Sequence, residues 1–593
     1  MKKSALPLLK TFRNFLPLKK YFVQNRWPIA LGLMCLLIVD FLQLLIPLVI
    51  KKAIDLLTLK TATAHILIQQ GLIILGLAFM IAVFRYVWRY FLLGHSRKVE
   101  ERLRNRIYGH LQTLSLSFYQ RTKTGDLMAR AINDINAIRM ATGMGLVALT
   151  DGIVLGIAAI GFMLSINVRL TLIALIPAPI IMVLTRVLTR RMSTGFENVQ
   201  KTFSDLTERA REVFAGIRVI KAYNRESWAH QNMETEGQRY ISVNMGLAKT
   251  LALFFPMMVI FTNIGLAIVI WLGGRLTILG QITTGDFVAF ISYLNLLTWP
   301  IMAMGWVTNL VQRGSASMRR INGILEELPE ITDPAQPVHI PQIRGKIEIE
   351  GLFFTHPGQS FYALKDIDLK IEAGETIALV GRVGAGKTTL LNSITRLLDA
   401  PAGTVSVDGW NVRQIPLQTL RKNIGFVTQE VFIFSDTIRN NVLFGRTGIS
   451  QGHLTTVLHA AGIIEDIETL EKGLDTFLGE RGITLSGGQR QRLTIARALI
   501  LEPPILILDD ALSMVDTLTE ETILNQILNL RQSKTNLIVS HRISTIRRAE
   551  RIAVLDHGEL VELGTHETLL EKGGIYTTLY EKQVIAEELE RGV

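Results

Sequence analysis

Cysteine is nearly absent. Cys35 is the single one in 593 residues and lies inside an apolar run, which excludes an intrachain disulfide framework. The basic, amphipathic start (Lys2, Lys3, Lys10, Arg13, Lys19, Lys20) has no secretory cleavage site. It is therefore expected to lie on the inner membrane surface rather than be removed. Proline is sparse, 17 in all, yet Pro329, Pro334, Pro337 and Pro341 fall in one stretch that no helix can cross. Acidic residues number 51 against 63 basic ones, a formal charge of +12. Such an excess would suit nucleic acid, but Lys and Arg crowd into the N-terminal segment and two polar stretches between apolar runs. Cytoplasmic loops of membrane proteins carry that bias, so no nucleic-acid partner is expected. A chain of this length exceeds one core and needs two or more domains.

What is present divides at the prolines. Apolar stretches long enough to cross about 30 Å of hydrocarbon occupy 28–50, 71–93, 142–165, 168–187, 250–272 and 284–310. The gaps after the second and fourth are long, helical by pattern and basic. One carries Arg97, Lys98, Arg102, Arg104, Arg106, Arg121 and Lys123; the other carries Arg190, Arg191, Lys201, Arg209, Arg211, Arg218 and Lys221. Both chain ends and both long loops are thus expected in the cytoplasm, with the membrane helices continuing beyond the bilayer. Beyond the proline stretch, β-type segments (Ile347–Gly351, Thr376–Val380, Ile424–Val427, Ile505–Leu508, Asn536–Val539, Ile552–Leu555) alternate with helical ones, the pattern of an α/β domain.

Gly381–Thr389 reads G-R-V-G-A-G-K-T-T between the apolar segment Thr376–Val380 and the helical pattern Leu390–Leu398. Gly381, Arg382, Val383, Gly384, Ala385 and Gly386 can turn backbone N–H groups and a helix N-terminus toward anionic oxygens. Lys387 can reach β- and γ-phosphates, the Thr388 hydroxyl can ligate Mg²⁺, and Thr389 continues the loop. Ile505–Asp509 is an apolar strand ending in a carboxylate, placed to fix the hydration shell of Mg²⁺. Leu485–Gln489, L-S-G-G-Q, opens an Arg-rich helical segment. Ser486, Gly487, Gly488 and Gln489 there offer donors at a second helix N-terminus.

With these motifs in this order, the whole chain resembles an ATP-binding-cassette (ABC) exporter half-transporter. The resemblance implies an α-helical membrane domain of six transmembrane helices, type I exporter-like, plus an α/β P-loop cassette. The expected boundaries are an elbow segment at 1–27, the membrane domain at 28–325, a linker at 326–344 and the cassette at 345–593. It implies ATP and Mg²⁺, with Thr388, Gln429 and Asp509 at the metal. Two such cassettes close head to tail in the family, each ATP lying between one chain's Walker motifs and the other's L-S-G-G-Q. Gln429 matches the Q-loop glutamine, His541 the switch histidine at the γ-phosphate, Ser513–Asp516 the D-loop, and Thr476–Gly482 a segment contacting the partner's coupling helices. Phe118–Gly125 and Gly216–Glu226 resemble the coupling helices themselves.

The departures carry as much information. Asp510 stands where the family usually has the glutamate that polarises the attacking water. Its oxygens retreat by roughly 1–1.5 Å, and a misplacement of about 1 Å can cost on the order of 100-fold in rate. The adenine-stacking position reads His356 in place of the common tyrosine, and the D-loop reads S-M-V-D. Asp510 beside an intact L-S-G-G-Q resembles the MdlA-type subunit of heterodimeric multidrug-like exporters. That resemblance implies a second half-transporter carrying the glutamate. A homodimer in which Asp510 still serves as base, and a lipid or lipopeptide flippase, are the alternative readings.

Cargo is less specified. Phe254, Phe255, Met257, Met258, Phe261, Phe290, Tyr293, Trp299, Met302, Met304 and Trp306 form a soft lining suited to hydrophobic small molecules, or equally to helix packing and membrane lipid. Asp40, Arg85 and Asp151 sit at membrane depth, where ionisable groups default to functional hypotheses. Equal depth in antiparallel spans predicts an Asp40–Arg85 pair. With no cysteine-protease domain ahead of the spans, export with leader processing is not expected.

Overall fold

The structure, a computed structural model, describes residues 13–479, 482 and 485–591. Lys2, Lys3 and Lys10 of the N-terminal segment, and Glu480 and Arg481 of the T-F-L-G-E-R-G stretch, lie outside the described residues. The chain forms two compact units, Met1–Gln112 with Thr124–Glu327, and Thr113–Lys123 with Leu328–Val593.

The first unit is built of helices. A short α1 (Lys19–Gln24) leads into α2 (Arg26–Thr58) and α3 (Ala64–Leu111). After α4 (Leu116–Arg121), which belongs to the second unit, come α5 (Thr124–Ile166), α6 (Val168–Ala215), the short α7 (Ile217–Ala222), α8 (Glu226–Ile268) and α9 (Thr284–Leu325). Five of them, α2, α3, α5, α6 and α9, are long and apolar enough to cross a membrane. The expected fifth stretch, 250–272, falls on α8 and on the shorter apolar helix Asn263–Ile278. The side chains of Phe255, Met258, Phe261, Met302 and Met304 lie outside the described residues. Helices α3 and α6 each run 48 residues, about 72 Å at 1.5 Å per residue. That is over twice the bilayer's ~30 Å, so they do continue past it.

Pro300 of α9 packs against two glycines of α5. A Cβ at Gly156 would stand 3.6 Å from the Pro300 ring, and one at Gly152 would stand 3.9 Å from the Pro300 carbonyl oxygen. Small residues let membrane helices approach this closely. Tyr293 of α9 is fully buried and donates to the Leu44 carbonyl of α2 at 2.9 Å. The expected Asp40–Arg85 pair is not formed. Asp40 is 1 % exposed, and its oxygens meet no N–H or hydroxyl donor among the described residues. Its carboxyl lies within hydrogen-bond range of that of Asp151 on α5, so the two share a proton, and Arg85 acts on it only through space. Equal depth on two helices does not fix rotation about their axes, and rotation decides which side chains meet.

The second unit holds two sheets. The smaller, ordered β2-β1-β4-β5, joins β1 (Ile347–Phe354), β2 (Leu364–Ile371), β4 (Val405–Val407) and β5 (Trp410–Asn411) in antiparallel pairs. The larger, ordered β10-β9-β3-β8-β7-β6, has a parallel centre. Its members are β3 (Thr376–Gly381), β6 (Ile424–Val427), β7 (Ile505–Asp509), β8 (Thr535–Val539), β9 (Arg551–Asp556) and β10 (Glu559–Gly564). Every residue of β3, β7 and β8 is buried. Parallel strands covered on both faces need such unbroken apolar runs, which is why the sequence announced them.

Candidate nucleotide site

Parallel pairing of β6, β7, β8 and β3 sends four consecutive C-terminal strand ends to one edge of the sheet. β3 ends in Gly381 and leads into the loop Arg382–Gly386, β7 ends in Asp509 and is followed by Asp510, β8 is followed by His541, and β6 by Gln429. Residues distant in sequence thus meet where ligands of α/β sheets bind. A cleft of about 510 Å³ opens there, lined by His356, Val383, Gly384, Ala385, Gly386, Lys387, Thr388, Thr389, Gln429, Asp509, Asp510 and His541. Gly381 and Arg382 lie at its edge, outside the lining.

The phosphate loop needs glycine for steric reasons. A Cβ at Gly381 would come within 2.1 Å of the Leu555 carbonyl oxygen. Gly386 caps helix α10 (Lys387–Ile394) at φ +98°, and a Cβ there would meet the Ala363 oxygen at 2.7 Å. Lys387 is buried, and its Nζ donates to the carbonyls of Gly381 at 2.8 Å and Arg382 at 3.0 Å, so the ammonium arches over the loop. Burial draws its pKa down, while Asp509 and Asp510 oppose that. The Thr388 hydroxyl donates to Asp509 Oδ2 at 2.9 Å. Burial lifts the Asp509 carboxyl above the usual carboxylate range, with Asp510 adding to the shift and Thr388 and Lys387 countering it. A hydroxyl and a carboxylate side by side beneath a phosphate nest are the oxygen donors a hard Mg²⁺ ion takes, so the residues fit that ion.

His356 rests its Nε2 3.2 Å from Thr389 Oγ1 and sets its ring edge-on to Phe354 at 5.2 Å. Phe361 and Tyr362 also line the cleft, and both are more than half exposed. Sequence reasoning passed over this pair. Its signal was two adjacent aromatics in the polar stretch P-G-Q-S-F-Y, where no core would bury them.

The L-S-G-G-Q residues stand apart from their own chain's cleft. Ser486 caps helix α11 (Gly487–Leu499) in a reciprocal box: its hydroxyl accepts from Gln489 N at 3.2 Å, and Gln489 Oε1 accepts from Ser486 N at 2.9 Å. Gln489 Nε2 donates to Asp466 Oδ1 at 2.8 Å, so its amide is committed to this cap. Gly487 and Gly488 pack against Met514 of the D-loop.

Three residues absent from the sequence reasoning hold that D-loop. Gln491 of α11, fully buried, donates to Ser513 Oγ at 3.0 Å and accepts from Met514 N at 2.8 Å. Arg542, next to His541, donates to the carbonyls of Val515 at 2.6 Å and Ser513 at 3.3 Å, and to Glu520. Glu520 lies on helix α12 (Thr517–Leu530), 1 % exposed, and also accepts from Thr545. Burial raises its pKa against the pull of Thr545 and Arg542. Arg542 is a positioning residue, and its fork cannot be copied by an ammonium. Arg542→Lys is expected to lower the ATPase kcat by about 10-fold with KM for ATP nearly constant. A steady-state titration checks this, and an unchanged kcat would refute the role.

Residues 29–301 match the family model of the ABC transporter transmembrane region, and residues 364–513 that of the ABC transporter. The chain is 34% identical over 584 residues to the probable multidrug resistance ABC transporter ATP-binding/permease protein YheI of Bacillus subtilis, covering 98% of this chain and 99% of that one. The chain belongs to the ABC transporter family. This transporter is also 35% identical to the multidrug resistance-like ATP-binding protein MdlA of Escherichia coli, over 98% of both chains. To an ATP-dependent lipid A-core flippase of Syntrophus aciditrophicus it is 35% identical, over 93% of this chain and 92% of that one. Its fold matches a bacterial Atm1-family ABC exporter with ATP bound, at a TM-score of 0.77 and 26% identity, covering 95% and 99% of the two chains. The transporter is a multi-pass membrane protein that joins a helical membrane domain to an α/β ATP-binding domain. It hydrolyses ATP to drive transport.

Proposed function

We propose that this ABC half-transporter exports hydrophobic or amphipathic compounds across the cytoplasmic membrane as one half of a heterodimer, with both termini and the ATP-binding domain in the cytoplasm. The observation that carries the pairing is the separation of Ser486–Gln489 from the cleft lined by Lys387, Asp509 and His541. One chain does not surround a nucleotide with both motifs, so a second chain must lend the missing loop. Gly381–Thr389 would cradle the phosphates, His356 would flank the adenine, and His541 would meet the γ-phosphate. Thr388 and Asp509, with Gln429 on the same wall, would hold Mg²⁺, which supplies charge neutralisation between the phosphates.

Asp510 makes the pair unequal on this reading. The chain's own Walker site binds ATP and turns it over slowly, while Ser486, Gly487 and Gly488 complete the partner's faster site. Similarity to proteins named for multidrug resistance favours drug-like cargo; similarity to a lipid A-core flippase favours lipid as the second reading.

The test is co-purification with a second half-transporter, then ATP-driven uptake into inside-out vesicles of a fluorescent drug and a labelled lipid, side by side. Drug uptake that stops when the partner's glutamate becomes glutamine is the expected outcome. Uptake of lipid alone supports the flippase. Turnover that survives the partner substitution sinks the unequal pair.

A further inference from the structure

Inside the membrane unit, two acidic side chains of different helices meet beside an indole. Asp151 of α5 accepts a hydrogen bond from Trp299 Nε1 of α9 at 3.0 Å. Behind it stands Asp40 of α2, 1 % exposed, its carboxyl within hydrogen-bond range of Asp151. The arrangement is built by backbone packing: the close approach of Pro300 to Gly152 and Gly156 carries the neighbouring Trp299 alongside Asp151. Arg85 of α3 acts on Asp40 through space and touches neither oxygen, so among the described residues the acidic pair has no cation in contact.

The outer side of this cluster is uncovered. Trp299 is 50 % exposed, and Asn295, one helical turn earlier on the same face of α9, is exposed as well. Polar groups at membrane depth do not face hydrocarbon; they face the bundle interior or a water-filled cavity. A carboxylate held by an indole N–H, with a proton-sharing carboxyl sealed behind it, attracts a desolvated organic cation by charge, and the indole adds its ring quadrupole.

We propose that Asp151 and Trp299, backed by Asp40, form a subsite for the cationic group of an amphipathic organic cargo. This rests on the exporter reading and narrows its substrate class: lipophilic cations are favoured over anions of the same shape.

The experiment uses the full-length chain in lipid nanodiscs and two isosteric probes of opposite charge, tetraphenylphosphonium and tetraphenylborate. Equilibrium binding of the phosphonium is expected to weaken about 10-fold to 30-fold in Asp151→Asn, and to stay within about 3-fold in Asp40→Asn, which replaces a proton-sharing carboxyl by an isosteric amide. Borate binding does not weaken in either. Asp151→Glu keeps the charge and is expected to retain phosphonium binding within about 3-fold. Phosphonium binding that survives Asp151→Asn, or an equal loss in Asp151→Glu and Asp151→Asn, overturns the subsite. ATP-driven phosphonium uptake into inside-out vesicles separates this from the exporter reading. A cation bound through Asp151 but never pumped fails the exporter reading and leaves the subsite standing. A cation pumped equally by wild type and Asp151→Asn fails the subsite and leaves the exporter standing.

Discussion

Asp510→Glu is expected to raise ATP turnover at the chain's own Walker site by about 100-fold, because the added methylene returns the carboxylate by roughly the 1 Å that positioning chemistry cannot spare. The backbone offers the shorter side chain little help. Asp510 N donates to the Val539 carbonyl at 3.0 Å, which pins the residue to the end of β8. Its φ of +51° is left-handed, a conformation that aspartate tolerates better than glutamate. The same substitution should therefore cost stability, by about 1 kcal/mol. Faster turnover with a slightly lower melting temperature is the expected signature, read by ATPase assay and thermal unfolding of the full-length chain in nanodiscs. Turnover that stays flat means Asp510 already serves as base, and the homodimer reading then gains.

Arg531→Met should produce the largest loss of stability in the ATP-binding domain. Arg531 follows α12 and is 3 % exposed, with no carboxylate among its hydrogen-bond partners. Its guanidinium donates to Asn536 Oδ1 at 2.7 Å and to the carbonyls of Pro503 at 2.8 Å and Thr535 at 3.2 Å, tying the starts of β7 and β8 together. Burial pulls its pKa down to about 10, so it remains charged at neutral pH. Methionine fills the volume but strands three acceptors, each costing about 1–3 kcal/mol when buried and unpaired. A net loss of about 3 kcal/mol lowers the domain's melting transition by roughly 6–12 °C. A shift under about 2 °C would mean that water or a local rearrangement satisfies those acceptors.

Much of the fold was legible because fully covered parallel strands leave unbroken apolar runs, as in β3, β7 and β8. The antiparallel strand β2 was not read. Ile367, Leu369 and Ile371 do alternate with Asp368 and Lys370, but the run is short, and Leu364 falls out of phase with it where the pairing with β1 shifts register. The cleft residues were legible for a related reason: they sit at strand ends, and parallel pairing alone gathers strand ends. Gln491, Glu520 and Arg542 were invisible because each is a single polar residue without local pattern, given meaning only by what packs on it. The Asp40–Arg85 expectation failed on geometry of another kind. Counting residues along a helix gives height, whereas the angle around the axis is set by neighbours such as Gly152 and Pro300.

The D-loop clasp has a wider consequence. Gln491 belongs to the helix headed by Ser486, and Arg542 is covalently joined to His541, so Ser513–Val515 answers to both ends of the domain at once. Whatever shifts the loop at one end must register at the other, and linkage makes that influence equal in both directions. If the two ends serve different nucleotides, as the pairing proposed here requires, then each ATP is informed of the other's presence through the three residues Ser513–Val515. A slow site would then work as a timer for the fast one.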